Sequence, residues 1–385
     1  VFSTNHPAHP YDYLMERIGI VGRGLAGLRV ASELRAGGYE NQIVTWDSDP
    51  YPPYDRPALS KEMFGEYNHP LSADGLGDFT ELGADSVPHP ATRAWSEEGK
   101  WFVLSQNGVS EPLDVLVIAT GSAPRAVIPG ARVLYDVDDA EALRAAIKPG
   151  ARIHIVGAGW IGTEIASVAA HQGAEVEMWE ATPSVLSRTF SGAVDDLWLS
   201  WMRDAGVKVN LDSPYSGDRA GRDLLIQATG VQADLAFLDG GARSPHGSLV
   251  ANLRGEVLEA ESPTSAVVPG LYATGDCCDI LLPNGQWRWG GHWTQALADA
   301  QRTVSAILEL PRASQLDAPE VFSTQFGHEI GLVGEVPAGT SPTVEQTGES
   351  TIYRWMDHSG NLVALLGIDA PREVSRARKA LRHKL

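Results

Sequence analysis

The pattern Gly-x-Gly-x-x-Gly occurs twice in this chain, each time between a short apolar run and a helical pattern. In the second copy Ile153–Val156 reads as a buried parallel strand that breaks into Gly157, Gly159 and Gly162, with Trp160 and Ile161 between the last two. A helical pattern follows through Ile165, Ala166, Val168 and Ala169. The glycines have separate physical tasks: a tight turn, close approach of backbone N–H groups to a pyrophosphate, and close packing of helix on strand. A second strand, Glu175–Trp179, then ends in Glu180, about 20 residues on, where a carboxylate would hold a ribose 2′-OH.

The first copy opens with Ile18–Val21 and runs through Gly22, Gly24, Leu25, Ala26 and Gly27 into the helical series Leu28, Val30, Ala31 and Leu34. Its next strand, Gln42–Trp46, ends among Asp47, Ser48 and Asp49. Two such units imply either two dinucleotides or a duplicated scaffold with one decayed site. Neither copy has lost a glycine, which favours two nucleotides. A flavin facing a nicotinamide gives that pairing its chemical sense, because hydride transfer needs both rings in contact.

At 385 residues, with 43% hydrophobic and 21% charged side chains, the chain is long enough for two or three globular domains with substantial cores. Its formal charge of −19 argues against nucleic acid or an anionic membrane as a partner. No apolar run approaches membrane-spanning length, and the opening residues lack a signal-peptide layout. Residues 1–14 are polar and rich in His and Pro, so they read as an extension ahead of Met15. The only cysteines are the neighbours Cys277 and Cys278. Adjacent cysteines rarely form an unstrained disulfide, so they read as two half-buried thiols in a reduced, cytoplasmic protein. A disulfide-reductase mechanism therefore lacks its thiol pair. No metal site is expected.

After the first acidic strand end comes Pro50–Lys61, whose prolines force an irregular, extended path. Its run Pro53-Tyr-Asp-Arg-Pro-Ala-Leu-Ser-Lys61 closely resembles a signature of the FAD-dependent ferredoxin reductases that serve oxygenases and cytochromes P450, a structural group that includes the apoptosis-inducing factor. The resemblance extends over nearly the whole chain from Met15. It implies that Arg56 contacts FAD phosphates or ribityl, and that Lys61 lies near flavin N5, paired with Glu164 on the helix of the second glycine motif. Such a pair makes sense unaided, since an unpaired charge beside the ring would be costly and a cation near N5 favours the reduced anion.

Lys100–Leu104 and Leu113–Ile118 read as strands joined through Asn107-Gly108, a hairpin signal. Then follow Ala119, Thr120 and Gly121, a turn that in the related flavoproteins closes the FAD fold, and Arg125. Thr92-Arg93 is placed by position at the FAD adenine, through backbone contacts. Trp160 occupies the place of a family aromatic packed beside flavin and nicotinamide, with a plain core role as the alternative. Pro183-Ser-Val-Leu-Ser-Arg188 matches a family run, making Arg188 a candidate ligand of the NAD ribose or phosphate. Gly230 follows the strand that closes this domain. Because Glu180 is followed by Ala-Thr rather than Arg, its carboxylate would repel a 2′-phosphate, favouring NADH over NADPH.

Leu271–Asp276 resembles the second FAD signature: a strand ending in Gly275-Asp276 and followed by a helix. There the Asp accepts from a ribityl hydroxyl, and a helix N-terminus faces the flavin edge that becomes negative. Trp289–Gln301 resembles a family segment, Arg-x-Glu-x-Trp-x-Asn-Ala, in which Trp293 and Ala296 are retained while Gly291 and Gln295 depart. Val321–Phe326 is similar to the family's Phe-Trp-Ser-Asp-Gln-Tyr, with Phe322 for Trp and Thr324 for Asp. Strands near Glu329–Val333 and Thr351–Trp355 fit a small capping domain. Its tail carries Arg372, Arg376, Arg378, Lys379, Arg382 and Lys384. Helical spacing puts Arg372, Arg376 and Lys379 on one face, either a solvated helix end or a docking surface for an acidic ferredoxin.

The expected fold is α/β, with two nested Rossmann-like nucleotide-binding domains, for FAD and NAD, plus a C-terminal α/β interface domain. The expected boundaries are 15–131 and 248–316 for FAD, 132–247 for NAD and 317–385 for the interface domain. The resemblance implies an enzyme that takes hydride from NADH onto FAD and passes single electrons to an iron–sulfur ferredoxin, as a monomer or homodimer. Two alternatives stay open. One is an NADH oxidoreductase with a small-molecule acceptor, suggested by Gly291 and Phe322; the other is an NADH-sensing protein like the apoptosis-inducing factor.

Overall fold

The computed structural model describes residues 15–217, 221–311 and 317–381. The leader 1–14, and Arg382 and Lys384 of the basic tail, lie outside them. The chain divides into two compact units. The first takes residues up to Tyr54, Pro70–Ser122 and Gln232–Ser314; the second takes Asp55–His69, Ala123–Val231 and Gln315–Leu385.

The first unit is built on a nine-stranded sheet. In its parallel part Arg17–Val21 lies between Gln42–Trp46 on one side and Val115–Ile118 on the other, and Val267–Ala273 continues the parallel order. Both faces of these strands are covered, as a parallel sheet requires. Ile18, Ile20, Val115 and Val117 pack against Leu28, Ala31 and Leu34 of helix Leu25–Ala36 and Ala300 and Val304 of helix Trp293–Ile307. Val21, Leu116 and Ile118 point the other way, to Trp46, Trp101, Val103 and Leu238. This period-2 division of one strand between two cores explains its unbroken apolar run.

The second unit holds a four-stranded parallel sheet in the order Lys208–Asn210, Glu175–Trp179, Arg152–Val156, Leu224–Gln227. It also holds a five-stranded antiparallel sheet, Glu320–Gln325, His328–Gly334, Leu362–Ile368, Ser350–Met356 and Thr343–Thr347. Helix Pro371–Leu381 packs on the latter. Its close approach depends on Gly331 and Gly367, where an added Cβ would come within 2.9 and 2.6 Å of Val374.

Three local expectations are corrected. The turn at Asn107-Gly108 joins Lys100–Ser105 to the two-residue strand Gly108–Val109, not to Val115–Ile118. The latter, buried at every position, is taken by the central parallel sheet. No helix follows Gly275-Asp276 directly: a single 3-10 turn, Gly275–Cys277, leads into the buried strand Cys278–Leu281, which pairs with Leu249–Ala251. The helix begins only at Trp293. The proline-rich loop is not extended throughout, since a short helix forms at Ala58–Lys61.

The chain returns to the first unit at Gln232; there Leu238 bridges Ala94, and the Ala94 N–H donates to the Phe237 carbonyl at 2.7 Å.

Candidate nucleotide sites and a buried ion pair

The two glycine loops have the same geometry, contact for contact. Gly22 and Gly157 have φ of +105° and +104°, and an added Cβ would lie 2.3 and 2.4 Å from the carbonyl oxygens of Ala119 and Ala228. The third glycines, Gly27 and Gly162, would each place a Cβ 2.0 Å from the carbonyl oxygen of the first. At the middle glycines, Gly24 and Gly159, a Cβ would meet nothing within 4 Å. Two positions of each loop are thus closed by protein, and one opens on space beside the first turn of a helix, Leu25–Ala36 or Trp160–His171. That space fits a pyrophosphate approached by backbone N–H groups.

The acidic strand ends are equivalent too. Asp47 Oδ2 accepts the Arg23 backbone N–H at 2.5 Å, and Glu180 Oε2 accepts that of Ala158 at 2.8 Å. Each carboxylate is further oriented by its own turn. Asp47 Oδ1 accepts from the Asp49 N–H at 2.9 Å, while Glu180 Oε1 accepts from the N–H and hydroxyl of Thr182, both at 2.9 Å. Asp49 in turn accepts from the Tyr54 hydroxyl at 3.0 Å. Ser48 is exposed on the same turn. An oriented carboxylate with acceptor capacity to spare suits a ribose diol.

Around the first loop, Ala119 N–H donates to Val21 and Thr274 N–H to the Ile118 carbonyl, joining Ala119, Thr120 and Gly121 to Gly275 and Asp276. The Ser122 hydroxyl donates to the Asp276 carbonyl at 3.0 Å. Gly275 sits against Ala26, where a Cβ would come within 2.9 Å of the Ala26 Cβ. Arg93 is exposed, paired with Asp239 at 2.8 Å and stacked 5.1 Å over Trp95. Trp293 is 39% exposed on the first turn of its helix, and Gln295 donates to the Trp289 carbonyl at 3.1 Å.

Around the second loop, Arg188 and Gly230 come together: a Cβ on Gly230 would lie 3.5 Å from an Arg188 Nη. Arg125 joins them through its N–H to the Gly230 carbonyl, 3.0 Å, and its Nε to that of Val231, 3.2 Å. Ile161 is 39% exposed beside Gly159. Trp160 lies half-buried in an aromatic cluster, edge-on to Phe190 and Trp198 at 5.9 and 6.4 Å, with its indole N–H to the Thr189 hydroxyl at 3.3 Å.

Arg56, Lys61 and Glu164 all belong to the second unit. The Arg56 guanidinium donates to the Tyr135 carbonyl at 2.5 Å and lies 4.6 Å over that ring. Lys61 Nζ is 3.7 Å from Glu164 Oε1. Glu164, only 4% exposed, also accepts the hydroxyls of Ser60 on Oε2 and Ser323 on Oε1, both at 2.5 Å. Sequence reasoning missed both serines. In Glu320–Gln325 the polar Ser323 and Gln325 face inward while Phe322 is 45% exposed, the reverse of an ordinary strand, so the apolar pattern did not point to Ser323.

Cys277 and Cys278 are both buried free thiols, and the Cys277 thiol donates to the carbonyls of Ile118 and Thr274. Burial pushes both thiols up, Cys278 further because Cys277 and Asp279 add to it. Among the described residues no cluster of three or more His, Cys, Asp or Glu could hold a metal, and no helix is long and apolar enough to cross a membrane.

Two glycine loops of matching geometry, each following a strand with parallel neighbours and each tied to an acidic strand end, define a two-nucleotide oxidoreductase fold. The chain belongs to the pyridine nucleotide-disulphide oxidoreductase family, whose model matches residues 16–300. It is an oxidoreductase with FAD and NADH as cofactors. It is 27% identical over 388 residues to the ferredoxin–NAD(+) reductase subunit of a benzene 1,2-dioxygenase system from Pseudomonas putida, covering 95% of this chain and 92% of that one. It is also 27% identical to a terpredoxin reductase from Pseudomonas sp., covering 94% and 92%. The crystal structure of Fdr9 superimposes with a TM-score of 0.82 at 30% identity, covering 95% of each chain. Putidaredoxin reductase in its covalent complex with putidaredoxin superimposes at 0.82 and 21% identity, covering 96% and 94%, which bears on the fold.

Proposed function

We propose that the protein is an NADH-dependent ferredoxin reductase of an oxygenase or P450 system, working in the cytoplasm. FAD, once bound, supplies the step from two-electron hydride acceptance to release of single electrons, which a nicotinamide cannot readily perform. The observation that carries the reading is the equal integrity of both glycine loops, joined to near full-length similarity to reductases of that kind.

In this reading Gly22, Gly24, Gly27 and Asp47 hold the ADP half of FAD, with Leu25, Ala26, Ser48 and Asp49 lining it and Arg93 at the adenine. Ala119, Thr120, Gly121, Gly275, Asp276 and Trp293 hold the flavin half. Gly157, Gly159, Ile161, Gly162, Glu180, Arg188, Gly230 and Arg125 hold NADH, and Trp160 orients the nicotinamide. Arg56 serves a phosphate or ribityl oxygen. Lys61 supplies the cation near the flavin, and Glu164 keeps that ammonium in place.

The experiment is steady-state turnover with NADH and alternative acceptors. The reading predicts bound FAD released on denaturation, preference for NADH over NADPH, and higher kcat/KM for a two-iron ferredoxin than for quinones. A small-molecule acceptor is the second reading. It is favoured by Gly291, where the family pattern has Glu and a Cβ would meet nothing within 4 Å. Saturable quinone turnover without gain from any ferredoxin would select it.

A further inference from the structure

Glu164 sits at the end of a buried series of hydrogen bonds whose direction the atoms themselves dictate. Trp198 Nε1 lies 2.9 Å from Gln325 Oε1. An indole N–H can only donate, so the amide oxygen must face it and the amide NH2 must face away. That NH2 donates to Ser323 Oγ at 3.0 Å. Ser323 has one proton, and with its oxygen already accepting, the proton goes to Glu164 Oε1 at 2.5 Å. Ser60 places its single proton on Oε2 at 2.5 Å, and Lys61 approaches at 3.7 Å. Trp198 and Gln325 are fully buried, and Ser60 and Ser323 nearly so. Donors therefore converge on both carboxylate oxygens.

We propose that Ser323 is a positioning residue for Glu164, and that Trp198 sets the direction of its hydrogen bond by fixing the Gln325 amide. The inference rests on the reading above that Lys61 and Glu164 border the flavin. A carboxylate relieved by two hydroxyl donors presents a spread, partly screened charge. Losing one donor concentrates that charge and disfavours added electrons nearby. Without the indole N–H, the Gln325 amide is free to turn its oxygen toward Ser323. The serine proton would then go to Gln325, and Glu164 would lose it.

The consequence is unusual for a buried network: removing Gln325 should repair the loss of the Trp198 N–H. With Leu at 325 no acceptor competes for the Ser323 proton. Phe at 198 keeps a ring against Trp160 and Trp201, which pack on it at 6.4 and 4.8 Å.

The test is spectroelectrochemical titration of the FAD-loaded full chain, with urea melts alongside to read stability separately. Glu164→Gln should shift the two-electron equilibrium toward reduced flavin by about five-fold or more, about 20 mV at 29.6 mV per tenfold. Ser323→Ala and Trp198→Phe should each shift it about three-fold the other way, about 14 mV. Ser323→Thr and the double variant Trp198→Phe/Gln325→Leu should return close to the wild-type value. Should Trp198→Phe fail to fold, Gln325→Glu presents an acceptor to Ser323 without touching the rings and should match Ser323→Ala in direction. If Glu164→Gln moves nothing, the pair does not border the flavin, and both the functional reading of it and this inference fall. If Glu164→Gln moves the equilibrium but Ser323→Ala does not, or the double variant lies as far out as Trp198→Phe, the inference alone is overturned.

Discussion

The Ala158 backbone N–H donates to Glu180 Oε2 at 2.8 Å, so the second glycine loop and the carboxylate proposed to hold the ribose are tied to each other before any nucleotide arrives. Glu180 is in turn held by Thr182. An interaction preset in this way is shared by the ground and transition states of hydride transfer. Glu180→Ala is therefore expected to raise the NADH KM about ten-fold, the loss of roughly 1.5 kcal/mol from a charged hydrogen bond, with kcat within about two-fold. It should also narrow the preference over NADPH. Steady-state kinetics checks this; equal losses in kcat and kcat/KM at unchanged KM would reject the assignment.

The glycines separate folding from binding. Gly24→Ala and Gly159→Ala add a Cβ into open space, so both variants should fold with urea midpoints near wild type. Gly24→Ala should bind FAD at least about ten-fold more weakly, and Gly159→Ala should raise the NADH KM by a similar factor, because a methyl group blocks phosphate approach. Gly22→Ala is different: φ is +105° and the Cβ would lie 2.3 Å from a backbone oxygen. It should fail to accumulate as folded protein. Apoprotein reconstitution followed by fluorescence titration distinguishes these outcomes.

The buried thiols give a pH dependence. Burial raises both above the ordinary 9.0, so above that pH the unfolded chain loses protons that the folded chain keeps. Stability then falls as pH rises, at up to about 1.4 kcal/mol per pH unit for each thiol. Urea melts between pH 9 and 10 should show the decline, and Cys277→Ala/Cys278→Ala should flatten it. The same burial predicts NADH oxidation that resists thiol alkylation in the folded state.

Much of this was legible because the glycine loops are local. Strand, turn, helix and acidic strand end lie within a short stretch, and only glycine tolerates the first and third positions; hence Gln42–Trp46 and Glu175–Trp179 end where their patterns stop. What surrounds Glu164 was not legible. Its partners Ser60 and Ser323 are 104 and 159 residues away, and no propensity encodes a contact of that separation. The apolar alternation that predicts strands also misleads at Phe322, which faces outward. Nor does composition show that Arg56 meets Tyr135, or that the buried Asp299 takes both Arg288 and Arg302.

We propose the basic face of helix Pro371–Leu381 as a ferredoxin contact, with a solvated helix end as the alternative. Val374, Ala377 and Leu381 are buried, while Arg372, Arg376, Arg378 and Lys379 are exposed. Arg376 pairs with Glu373 at 2.5 Å, and Arg378 pairs with Glu320 and lies 5.3 Å over the Phe322 ring. Replacing Arg372, Arg376 and Lys379 with Ala should lower kcat/KM for ferredoxin about ten-fold at low ionic strength. The difference should shrink toward 0.5 M salt as screening grows. Ferricyanide reduction should be spared; if it falls in parallel, the helix is structural.

In the proposed function one protein joins NADH oxidation to ferredoxin reduction. Anaerobic stopped-flow tests it most directly: the FAD-loaded protein is mixed with NADH, then with a two-iron ferredoxin. Rapid flavin bleaching followed by ferredoxin reduction on the timescale of turnover is the predicted result. Bleaching with no onward transfer to any of several ferredoxins would contradict it and leave a small molecule as the acceptor.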